Sequence, residues 1–128
     1  MDVSRQVDYW RAGSKDDFEA AEVLLEKGKT LQALFFAHLS LEKMLKAHIT
    51  RTTSDVPPRT HNLAQLSVLS RLDLTSEQRE FLKRFNVFQL EGRYPDQLGA
   101  RPPAERAKQL LSQAKETLEW LTQKLCIP

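Results

Sequence analysis

Thr30 to Thr52 reads TLQALFFAHLSLEKMLKAHIT followed by Arg51 and Thr52, and this stretch decides the fold. Leu31, Leu34, Phe35, Phe36, Leu39, Leu41, Met44, Leu45, Ala47 and Ile49 make it apolar around much of a helix circumference. A helix with so wide an apolar surface must be covered on several sides. It is therefore the central helix of a bundle, or one that also faces a second subunit. Asp55-Val56-Pro57-Pro58 ends it, because proline lacks an amide donor and restrains the residue before it.

Helical spacing continues on both sides. Upstream, from about Val7 to Lys27, Trp10, Phe18, Ala21, Leu24 and Leu25 recur on one face, with Gly28 as a stop. Downstream, a short helix is expected over Asn62 to Leu72, with Asn62 as its cap. The next runs from Ser76 to Phe88 behind the capping pattern Thr75-Ser76-Glu77-Gln78, burying Phe81, Leu82, Phe85 and Phe88. Pro102-Pro103 opens a last helix whose stripe is Ala107, Leu110, Leu111, Ala114, Leu118, Leu121 and Leu125. No run of alternating β-branched residues suggests a strand. The expected architecture is all-α, one up-and-down bundle of four long helices and one short one, occupying residues 1–128 as a single domain.

Bulk properties narrow the function classes. Nineteen basic and seventeen acidic side chains leave a formal charge of +2, too little to advertise a polyelectrolyte partner. The basic surplus falls on residues 51–128, with 12 basic against 9 acidic groups. One cysteine, Cys126, forms no internal disulfide and, with the histidines far away in sequence, no metal site. A cytoplasmic location is expected. The longest uncharged stretch, Thr30 to Leu41, is too short to span a bilayer, so no membrane role is expected. There is no phosphate-binding loop, no dinucleotide fingerprint, no His-Glu-x-x-His and no nucleophile elbow. Neither a cofactor nor a catalytic residue is assigned.

Three groups of residues carry candidate chemistry. On the central helix His38, Glu42 and Lys46 stack a turn apart. They form either a polar strip facing a ligand or partner, or a Glu–Lys pair beside a hydrogen-bonded histidine. His61, in Pro58-Arg59-Thr60-His61-Asn62-Leu63, either helps to cap the short helix or helps to hold an anion at its N-terminus. Arg93-Tyr94-Pro95-Asp96 brings together a guanidinium suited to phosphate, a ring suited to stacking and an acid beside a rigid proline. These residues serve equally well as an ion pair and a plug at the edge of the core.

Three blocks together resemble the HEPN family, the higher eukaryotes and prokaryotes nucleotide-binding domain. They are Ala33 to Ala47, with Phe35, Glu42, Lys43, Leu45 and Lys46 in the family's places, then Pro58 to Leu63, and Arg93 to Asp96. The resemblance implies a four-helix up-and-down bundle like the C-terminal domain of kanamycin nucleotidyltransferase, usually dimeric. It also implies a minimal nucleotidyltransferase as partner, in a toxin–antitoxin-like pair. Many relatives are metal-independent ribonucleases that use an Arg followed four to six residues later by a His. Here His38, His48 and His61 have no Arg at that spacing: His61 follows Arg59 and Arg51, the other two follow Arg11. The departure points to a binding module for a nucleotide or a partner protein. An RNA-cutting toxin with a non-standard site and a plain structural adaptor are the alternatives.

Two further expectations follow. The apolar breadth of Thr30 to Thr52 exceeds what one small bundle covers, so a homodimer should bury part of it. Arg93, Tyr94 and Asp96 should approach the Glu42–Lys46 side of the central helix. A nucleotide there would meet Arg93 and Lys46 through its phosphates and Tyr94 through its base.

Overall fold

The computed structural model describes residues 1–89 and 101–126. Among these residues five α-helices follow one another: α1 (Val3–Glu26), α2 (Thr30–Thr53), α3 (Leu63–Leu69), α4 (Ser76–Phe85) and α5 (Ala104–Leu125). A 3₁₀ turn, Asn86–Phe88, extends α4. More than half of the chain is α-helical, and no strand occurs among the described residues. Three helices are long, at 24, 24 and 22 residues; α4 has 10, because its backbone tightens at Asn86 where a longer helix was expected.

Local signals set most boundaries. Asp2 accepts from the Arg5 amide and starts α1 four residues ahead of the expected Val7. Gly28 takes φ +77° in the turn between α1 and α2, a left-handed conformation that favours glycine. Asn62 caps α3 by accepting from the Ala64 and Gln65 amides. Thr75 and Gln78 form the reciprocal capping box of α4. Pro103 stands at the cap position of α5.

The short turn folds α1 back along α2, and these two helices make the most extensive contact in the molecule. Small side chains allow a close crossing: Ser14 Oγ donates to Ser40 O and Ser40 Oγ to Ser14 O, both at 2.7 Å. Both serines are fully buried. Lys43 of α2 reaches Asp17 of α1 at 2.8 Å. Helix α5 lies parallel to α2, since contacts advance together along both: His48 with Leu121, then Arg51 with Leu125.

Helix α2 is central. Its buried residues include Ala33, Leu34, Ala37, Leu41, Met44, Leu45, Ala47 and Ile49, all covered by the chain itself. None of the well-exposed large apolar side chains lies on α2; they are Met1, Tyr9, Val23, Val56, Val68, Leu69 and Val87. The chain covers most of the apolar surface of α2, while Leu31, Phe35, Phe36 and Leu39 stay only part-buried. Helices α1, α3 and α5, with the 3₁₀ turn, supply the cover.

His48 ties α2 to α5. Its buried ring donates Nε2–H to Leu121 O at 2.8 Å. Burial pushes its pKa below the usual value of 6.5; the bond to the Leu121 carbonyl partly opposes this, and nearby Arg51 reinforces it. The unfolded chain therefore takes up this proton more readily than the folded one. The stabilisation is complete above about pH 6.5 and falls as pH drops below it. Urea unfolding at one pH unit below that value should show a lower stability than at neutral pH, with part of the loss coming from this residue. The same experiment on His48→Gln, which keeps a donor for Leu121, should show a smaller dependence; an unchanged one would put the effect elsewhere.

Candidate functional site

Residues of α2 spaced four apart build the site. His38, Glu42 and Lys46 occupy one face, and all three are buried. The loop after α2 brings a fourth. Ser54 ends α2 in the left-handed conformation (φ 56°), the chain turns through Pro57 and Pro58, and His61 returns to Glu42, 19 residues earlier in sequence.

Glu42 is the hub. Its carboxylate accepts from Lys46 Nζ at 3.0 Å and from His61 Nδ1 at 3.1 Å to either oxygen. His38 Nδ1 stands 3.8 Å from Oε1. The Glu42 and Lys46 side chains are only 5% and 7% exposed, so this is no solvated surface pair. A charge of either sign in that setting is stable only when the other remains beside it. Lys46 Nζ also lies over the Trp10 ring of α1, 5.4 Å from its centroid. His61 is the outermost member, with 42% of its side chain exposed.

A second hub adjoins the first. Asn86 Oδ1 accepts from the Leu63 amide at 2.8 Å, which fixes the orientation of its carboxamide. The same oxygen accepts from His38 Nε2 at 3.4 Å, so His38 carries a proton on that nitrogen. Asn86 Nδ2 donates to Asn62 Oδ1 at 3.0 Å, and that oxygen caps α3. Hydrogen bonds thus run from His38 through Asn86 to the first turn of α3, and the Glu42–Lys46–His61 cluster adjoins them across the 3.8 Å separation at His38 Nδ1. Together they join α2, α3 and the 3₁₀ turn around groups that would be costly to bury alone.

Of the site residues expected from sequence, the structure brings Glu42, Lys46, His38 and His61 together. Arg93, Tyr94 and Asp96 lie outside the described residues. Capping as the work of His61 is corrected: Asn62 caps α3, and the His61 ring turns to Glu42. Lys46 is likewise turned inward, its ammonium held by Glu42 rather than presented to a phosphate. Trp10 was legible only as a core residue. Asn86, part-buried beside the run Phe81, Leu82, Phe85, Phe88, was missed altogether.

Among the described residues no group of His, Cys, Asp or Glu is arranged to hold a metal ion. Among the described residues no helix is long and apolar enough to cross a membrane.

Two solved structures share the architecture. TT1696 from Thermus thermophilus superposes with a TM-score of 0.73 at 24% identity, over 93% of this chain and 98% of that one. ST0689, an archaeal HEPN homologue, gives 0.70 at 16% identity, over 93% and 97%. At these identities the likeness is one of fold. Among curated protein sequences none matches this chain. The HEPN domain pattern matches residues 7–125, nearly the whole length. The chain belongs to the HEPN domain family.

Proposed function

We propose that this HEPN domain is a non-catalytic binding module, a homodimer whose partner is a minimal nucleotidyltransferase in a toxin–antitoxin-like pair. The observation that carries the reading is the engagement of Glu42 inside the protein, ion-paired to Lys46 and in contact with His61. The cation of the cluster is committed to a buried carboxylate and to the face of Trp10. A ribonuclease must bring a cation to the developing phosphorane as well as a base to the attacking hydroxyl. This cluster spends its cation on itself. It fits a rigid support for the surface formed by α1, α3 and the loop carrying His61.

One observation favours the second reading, an RNA-cutting enzyme with a non-standard site. A carboxylate on Nδ1 of a half-exposed imidazole is an arrangement that orients a general base. Sedimentation and an RNA digest separate the two. The purified chain should sediment as a dimer, gain mass when mixed with a minimal nucleotidyltransferase from the same genome, and leave RNA intact. Absence of such a complex overturns the proposal. RNA cleavage that vanishes in His61→Ala transfers the site to the enzyme reading.

A further inference from the structure

The charges that remain unneutralised lie elsewhere. Helix α4 packs chiefly on α3 and the 3₁₀ turn, leaving a cavity of about 440 Å³ between α4 and α5. Phe81, Phe85, Phe88 and Leu110 form its apolar walls, and Arg84 and Arg106 stand among them. No Asp or Glu lines this cavity among the described residues. Arg106 donates to the amide oxygen of Gln109 at 3.3 Å. Neither guanidinium has a carboxylate partner among the described residues.

The cavity continues past Phe81 and Arg84 into a second depression of about 480 Å³, where the charge reverses: Glu77, Glu80 and Glu116 line it. Arg84 lines both depressions, so the groove is aromatic with Arg106 toward Pro102 and turns acidic beyond Arg84. A pocket of this size, apolar with a few convergent polar groups, has the make-up of a small-molecule site. Two guanidiniums select an anionic head, which they can grip through paired N–H donors. The aromatic wall selects an apolar body.

We infer that the cavity between α4 and α5 binds a small organic anion, an aryl or alkyl carboxylate or phosphate, with its head on Arg84 and Arg106 and its body against Phe81, Phe85 and Phe88. This site is separate from the Glu42 cluster and does not depend on the function proposed for it.

Titration with 1-anilinonaphthalene-8-sulfonate, followed by its fluorescence, tests the assignment. One saturable site is expected on the folded chain, and the uncharged N-phenyl-1-naphthylamine should bind about tenfold more weakly. Arg84→Gln and Arg106→Gln should each weaken the sulfonate about five- to tenfold. Leu110→Trp should fill the cavity and abolish binding, while a circular dichroism melt reports whether each variant is folded. Phenyl phosphate and decanoate then compete for the bound dye, and the stronger competitor identifies an aryl or an alkyl ligand. No saturable binding, equal binding of the neutral dye, indifference to both Arg substitutions, or displacement by inorganic phosphate alone would each overturn the inference.

Discussion

Replacing Glu42 with Ala should lower the free energy of unfolding by about 3–5 kcal/mol, because the loss leaves the Lys46 ammonium buried without an anion. Lys46 Nζ sits 3.0 Å from Glu42 Oε2 with almost no access to water. His61 and the α2–α3 loop lose their anchor in the same step. For a domain of this length the midpoint of thermal unfolding should fall by roughly 10–20 °C. Removing both charges is a different experiment. Glu42→Met with Lys46→Met should recover most of the loss, since an apolar pair of similar volume avoids the burial of ions altogether. Urea unfolding of the two single variants and the double one measures this directly. A loss below about 1 kcal/mol in Glu42→Ala would mean that water reaches Lys46, and the buried-pair account would fail.

Phe85→Ala should be about as damaging, at roughly 3–5 kcal/mol, for an unrelated reason. The ring is 1% exposed and lies between Phe81 and Phe88, with centroids 5.2 and 4.9 Å away. Truncation removes the apolar contact and leaves a void that the flanking helices close only in part. It also widens the groove between α4 and α5, where Phe85 is a wall. Phe85→Leu keeps much of the volume and should cost less than half as much. Denaturant unfolding at constant slope is the check; equal losses in the two variants would show that ring packing, not volume, sets the stability there.

The residues explain how far a single sequence can be read. The Thr75–Gln78 capping box and the Asn62 cap are local codes, resolved within four residues, and both appear where the pattern placed them. The alignment of His38, Glu42 and Lys46 on one helix face is local in the same sense. The start of α1 was harder: apolar spacing becomes clear only from Val7, whereas the first turn is held by the polar cap Asp2. The approach of His61 to Glu42 depends on how the Ser54–Pro58 bend is directed, which composition does not specify. Asn86 shows the same limit. Its partners His38 and Asn62 lie 48 and 24 residues away, and no spacing rule connects them. The breadth of apolar surface on α2 was legible, but the identity of what covers it was not.

The serine crossing between α1 and α2 has a consequence in time. Its two bonds join residues 26 apart, across a hairpin whose turn is three residues long. The grip of α5 on α2 joins residues 73 and 74 apart. Closing a longer loop loses more chain entropy, so the hairpin is expected in the folding nucleus and α5 is expected to dock after the barrier. Ala37→Gly would then slow folding, whereas Leu121→Ala would chiefly hasten unfolding; stopped-flow kinetics showing the reverse would refute the order. On that order the lifetime of the native state is governed by the last helix, and the rate at which the native state is reached by the first two.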